Sequence, residues 1–141
     1  MGGLLFSSSC SKDEETLIEP IKTTITTSID GTTWKTEDVI SIKSGGEYFI
    51  TAIKGDESLI IRIPEITADT FVISTGNPTA AVYSLDDTDP IKIYNAGSGS
   101  VIITKVNATD FDATFSFSTK NAIGQKKEFT NGNMIKITIP L

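Results

Sequence analysis

The chain has 141 residues, a formal net charge of −6, no histidine and one cysteine, with 38% hydrophobic and 8% aromatic content. That length supports one core of ordinary size, hence a single domain that buries about two-thirds of its unfolded surface. The lack of histidine excludes Ser-His-Asp and Cys-His nucleophile systems and His-ligated zinc, and an acidic balance with a single arginine, Arg62, argues against a nucleic-acid partner.

Met1 to Ser9 form a short apolar run that ends in small residues directly before Cys10. This is the form of the cleavage end of a secretory signal, with cleavage before Cys10, and residues 1–9 read as a signal remnant. The lone cysteine cannot form an internal disulfide. Ser11-Lys12-Asp13-Glu14-Glu15 follows, too charged for a membrane span or a core strand. Residues 11–19 carry a charge of −3 and Pro20 ends them, so 10–19 reads as an anchor cysteine with an acidic tether. This N-terminus resembles bacterial lipoproteins, specifically those of Bacteroidota, in which a lipidated cysteine precedes a lysine and acidic residues that mark surface export. The resemblance implies acylation of Cys10 and an outer-membrane, cell-surface location. It departs from the pattern in lacking a basic leader and in having Ser7 where a lipobox has leucine.

Residues 20–141 read as one all-β domain. Isoleucine and threonine, about 20 of each, make up more than a quarter of the chain, whereas leucine, alanine and glutamine are scarce. Apolar residues recur at spacing two, and turn signals interrupt them every eight to twelve residues. The expected strands are 21–29, 37–43, 47–54, 58–63, 70–74, 79–84, 90–95, 99–106, 110–119, 125–130 and 133–140. The joints include Asp30-Gly31, Ser44-Gly45-Gly46, Gly55-Asp56, Gly97-Ser98-Gly99, Asn121 to Gly124 and Asn131-Gly132. In the clearest strand Phe111, Ala113, Phe115 and Phe117 share a core face, and Asp112, Thr114, Ser116 and Ser118 share a solvent face. With no helix-period segment of useful length, the connections should be antiparallel. The expected fold is an antiparallel β-sandwich of about ten strands, with a closed or partly closed β-barrel as the alternative.

From Asp30 onward the order of signals is similar to a family of uncharacterised Bacteroidota lipoprotein domains. The matching pieces are Asp30-Gly31-Thr32-Thr33-Trp34, Ala81-Val82-Tyr83, Gly97-Ser98-Gly99-Ser100-Val101-Ile102-Ile103-Thr104, Thr114-Phe115-Ser116-Phe117 and Thr130-Asn131-Gly132. The resemblance bears on fold and location and implies no catalytic residue.

Among residues that carry chemistry, Asp86, Asp87 and Asp89 could supply part of a calcium shell, but they lack the glycine and distant glutamate of an EF-hand and read better as an acidic turn before Pro90. Asp110 and Asp112 could join such a site only if their strand end lay beside that turn. Gly97-Ser98-Gly99-Ser100 precedes a strand, not a helix, which favours a turn over a phosphate loop. Lys126-Lys127 reads as protection of an edge strand. Trp34, Tyr83 and Tyr94, with Tyr48, are the rings a glycan or peptide surface would use, although Trp34 could equally plug one end of the fold. The reading is a non-enzymatic binding or accessory module with no cofactor, joined to its membrane through Cys10 and facing a glycan, peptide or protein. The alternatives are a barrel carrying a small apolar ligand and a structural component of envelope assembly.

Overall fold

The computed structural model of the protein describes residues 21–141. The expectations for residues 1–19, including the anchor at Cys10, lie outside the described residues. Ten strands follow in order: β1 (Thr24–Ile29), β2 (Thr32–Thr36), β3 (Asp38–Ser44), β4 (Glu47–Lys54), β5 (Glu57–Ile63), β6 (Thr70–Ile73), β7 (Ala80–Ser84), β8 (Ile93–Val106), β9 (Asp110–Lys120) and β10 (Lys126–Thr138). All pairings are antiparallel, in the order β2-β1-β10-β9-β8-β7-β5-β4-β3, with β6 beside β8. The fold is therefore all-β and antiparallel, and its single sheet rolls into a nearly closed barrel, the closed form of the expected architecture.

The seam lies between the two ends of the sheet. There the Thr36 hydroxyl donates to the Ile53 carbonyl at 2.6 Å, and Lys22 pairs with Glu37 at 3.9 Å. Alternation along each strand sends one set of side chains inward. Ile25, Ile50, Leu59, Ile61, Ile63, Val101, Ile103, Phe111, Phe129, Met134 and Ile137 are fully or almost fully buried. Their apolar area removed from water contributes about 25 cal/mol per Å² and makes the barrel interior a packed core.

Three expectations change. Thr32–Thr36 is a strand, not a loop: after the Asp30-Gly31 turn it forms a hairpin with β1, pairing Thr27 with Trp34. Residues 90–95 and 99–106 are not two strands with a hairpin between them. Pro90–Lys92 is a 3-10 turn capped by Asp89, and one strand then runs from Ile93 through Val106. Likewise 125–130 and 133–140 merge into β10.

Both joints that fail to turn are bulges. The register slips between Ala96 and Ser98 on β8, and between Phe129 and Gly132 on β10. The glycines there answer to their partner strands. Gly99, at φ +140°, pairs with Phe117, and an added Cβ would stand 2.5 Å from the phenylalanine Cα and Cβ. Gly132 pairs with Phe115, and its Cβ would meet the phenyl ring at 2.5 Å. The β9 backbone at Ser116 and Phe117 thus occupies the space that Gly99 leaves open, and the Phe115 ring does so at Gly132, and the bulges bend the two long strands around the core.

Candidate functional site

The sequence places Glu57 on the same face as Leu59, Ile61 and Ile63, so period-two geometry sends a carboxylate toward the interior at the start of β5. It is met there by two donors from distant strands. The Trp34 indole N–H donates to Glu57 Oε1 at 2.7 Å, and the Tyr83 hydroxyl donates to the same oxygen at 2.5 Å. Burial of the ring, reinforced by the Glu57 hydrogen bond and charge, pushes the Tyr83 hydroxyl above its ordinary range.

Around this triad the rings pack on one another. Tyr83 meets Trp34 edge-on at 6.3 Å between centroids and Phe129 at 5.2 Å, and the stack continues through Phe117 to Phe115. Trp34, Tyr83 and Tyr94 are 5%, 2% and 7% exposed, so they are core residues that close one barrel end. The ring faces are covered by protein, as in the reading of Trp34 as a plug at one end of the fold, and Trp34 and Tyr83 still line the groove described next. Tyr48 is half-buried, with the Lys43 ammonium 5.5 Å from its ring centroid.

What faces solvent at this end is a groove of about 440 Å³, within the usual range for small-ligand sites. It is lined by Ile29, Asp30, Thr32 and Thr33 of the β1–β2 hairpin, by Lys127 of the neighbouring β10, by Lys54 and Glu57 of β4 and β5, and by Trp34 and Tyr83. The Lys54 ammonium stands 5.8 Å from the Trp34 centroid and the Lys127 ammonium 5.2 Å from that of Tyr94. Lys127 therefore covers an aromatic ring and does not guard an edge. Among the described residues neither ammonium makes a salt bridge, the Thr32 and Thr33 hydroxyls have no hydrogen-bond partner, and Glu57 Oε2 accepts no hydrogen bond. The groove thus offers cations, hydroxyls and one carboxylate oxygen on a rigid aromatic base. A depression of about 510 Å³ over the Gly132 bulge is lined chiefly by serine, threonine and asparagine and carries no charge.

The other candidates do not converge on this groove. Asp86 Oδ1 accepts from the Thr88 amide and hydroxyl at 3.0 and 2.6 Å, which holds its carboxyl below the ordinary value, and Asp89 Oδ1 accepts from Ile91 N–H at 3.2 Å. These are turn and cap bonds. Asp87 makes no side-chain hydrogen bond among the described residues. No group of three or more His, Cys, Asp or Glu among the described residues is placed to hold a metal ion. Asp110 and Asp112 sit elsewhere. Asp110, its carboxyl lowered chiefly by the Asn107 side-chain bond, anchors the β8–β9 turn, and Asp112 accepts the Lys136 amide at 2.8 Å.

Fold and site together define a small, nearly closed antiparallel barrel with a filled interior and a polar, charged groove at one mouth. The chain belongs to a family of domains of unknown function, DUF6252, whose profile matches residues 22–138. Comparison with curated proteins gave no match, and neither did comparison with solved structures.

Proposed function

We propose that this protein is a non-enzymatic binding module, held on the outer membrane of a bacterial envelope by an acyl chain on Cys10 and presenting the mouth groove to a glycan, peptide or protein ligand. The observation that carries the reading is the placement of the groove along β1. The chain enters β1 at Thr24 and reaches the groove at Ile29, so its N-terminal side and the groove lie about 17 Å apart at opposite ends of the strand. The same is true of β10, with Lys127 in the groove and Thr138 at the far end. A tether on the N-terminal side therefore leaves the groove turned away from the attachment point. The Cys10-Ser11-Lys12-Asp13-Glu14-Glu15 sequence has the form of such an anchor, which would carry two or three acyl chains, since one chain holds only marginally at about 0.8 kcal/mol per buried methylene. The interior, where a carrier of apolar ligands would need a cavity, is filled by phenylalanine and isoleucine side chains.

Two measurements test the reading separately. Cys10→Ala should move the protein from the membrane to the soluble fraction, and retention in the membrane would remove the anchor. Thermal unfolding against panels of glycans and peptides should show a shift with one class. That shift should be lost in Lys54→Ala and Lys127→Ala, and its persistence in both would remove the groove.

A further inference from the structure

We propose that the outer wall of the barrel over β9 is a second binding site, a furrow that takes a neutral, extended oligosaccharide. Concavities of about 510, 190 and 440 Å³ follow one another along β9. Neighbours share lining residues: Ser116 and Thr130 join the first to the second, and Ser98, Ser118 and Glu128 join the second to the third. From Thr114 to Lys120 the furrow runs for about 20 Å, at a strand rise of about 3.4 Å per residue. It lies on the solvent side of the wall, whereas the mouth groove is built on the inward-phased Trp34, Glu57 and Tyr83, so neither site depends on the other.

Side-chain length along three strands makes the furrow. Alternation sends Thr114, Ser116 and Ser118 outward from β9, all of them short, while Ile102 of β8 and Asn131, Asn133 and Glu128 of β10 carry longer side chains beside them. Because Phe117 pairs with Phe129 and Phe115 with Gly132, two residues of β10, Thr130 and Asn131, stand opposite Ser116, and Ser100 of β8 completes that row. Ile102, Thr114 and Asn133 form the cross-strand row on one side of it, and Ser98, Ser118 and Glu128 the row on the other. Asn131, within the bulge, adopts a left-handed φ of 52°, which asparagine tolerates.

Among the described residues, the hydroxyls of Ser100, Thr114, Ser116 and Thr130 and the side-chain amides of Asn131 and Asn133 have no hydrogen-bond partner, whereas Ser118 donates to Glu128 at 2.6 Å. Each of these groups both donates and accepts, as the hydroxyls of a sugar do. Ile102, 38% exposed, adds an apolar spot for the C–H face of a ring. Other ligands fit less well. Charged side chains line the furrow only toward Glu128, Lys126 and Lys120, so nothing along the rest of it selects a phosphate or a carboxylate. β9 is paired with β8 on one side and with β10 on the other, so a peptide strand finds no free backbone edge to join. The furrow is open to water, with which its hydrogen bonds compete, and binding is therefore weak, with a Kd of roughly a millimolar.

The test is a nitrogen-15 NMR titration of the full 141-residue chain with neutral oligosaccharides of glucose, xylose, mannose and galactose, and in parallel with an unstructured neutral peptide. At least one oligosaccharide should shift the backbone amides from Thr114 to Ser118 together with the side-chain amides of Asn131 and Asn133. Ser116→Lys sets a long side chain in the middle of the furrow and should weaken binding by about tenfold or more. Asn131→Gly removes an amide at a backbone conformation that glycine adopts freely, so it keeps the fold if Ser116→Lys does not, and it should also weaken binding. Thr51→Ala, on the outer face of β4, should leave binding unchanged. No shift with any oligosaccharide overturns the proposal, as do shifts confined to the Trp34 indole and the mouth groove, or binding that survives both variants at full strength. A response to the peptide alone overturns the sugar assignment.

Discussion

Gly99 and Phe117 face each other across β8 and β9, and the β9 main chain at Ser116 and Phe117 passes through the space in which any side chain at position 99 would stand. Gly132 and Phe115 form a second close pair one strand away, where the phenyl ring fills the space, and the Phe115 and Phe117 rings stack on each other at 5.5 Å. The bends that roll the sheet therefore sit where a glycine of β8 and a glycine of β10 let β9 approach closely.

Gly99→Ala combines an occupied site with a backbone conformation that side chains resist, and it should lower unfolding stability by about 2–4 kcal/mol in urea titration. Gly132→Ala meets only the Phe115 ring, so its cost should be smaller, about 1–3 kcal/mol. Combining it with Phe115→Leu should cost less than the sum of the two single changes, because the larger ring is what the new methyl strikes. Strict additivity would show that the pair is not coupled.

Glu57→Leu strands the Trp34 N–H and the Tyr83 hydroxyl in a buried setting, at about 1–3 kcal/mol for each orphaned group. The expected loss is about 2–6 kcal/mol by urea unfolding, whereas Glu57→Gln retains an acceptor oxygen and should lose far less. Equal losses in the two variants would assign the effect to charge instead of hydrogen bonding.

Tyr83 supplies a pH dependence with a definite sign. Burial, aided by Glu57, raises its folded pKa above the unfolded value of 10.0, so the native state holds the proton more tightly. The associated stability is fully present below about pH 10 and is lost as pH rises from there toward the folded pKa. Ultraviolet titration should show a tyrosine ionising above the ordinary range, and Tyr83→Phe should abolish that late step and flatten the alkaline loss of stability.

Calcium should leave the melting temperature unchanged. A site filled at a hundred times its Kd would add about 2.7 kcal/mol, but oxygens of Asp86 and Asp89 are already engaged by Thr88 and Ile91. A calcium-dependent shift abolished by Asp87→Asn would reverse this assignment.

Hairpins closed by local chemistry are legible in the sequence. Gly45-Gly46, Gly55-Asp56 and the Asn121 to Gly124 joint turn as their residues require, the last around the buried Asn121 amide. Gly97 to Gly99 and Asn131-Gly132 present similar local signals but do not reverse the chain, because each glycine is matched to a close approach of β9, by its main chain at Gly99 and by the Phe115 ring at Gly132. β2 is obscure for a related reason: its five residues include a single apolar one, Trp34, and its strand character comes from β1. Glu57 escapes notice because its partners lie 23 and 26 residues away. The signal that would have found it is an acidic residue in phase with Leu59, Ile61 and Ile63.

The two ends of the sheet, β2 and β3, are joined in the chain by Glu37 alone. That link sets an order of assembly. The β3–β4–β5 and β8–β9–β10 meanders need only neighbouring contacts, whereas the β1–β2 hairpin must find β10 about a hundred residues downstream. Once β1 settles on β10, Glu37 already holds β3 beside the gap, so closing the ring requires no further search. Pulsed hydrogen exchange during refolding should find the amides of β1 and β2 protected last, as the stitch that completes the barrel.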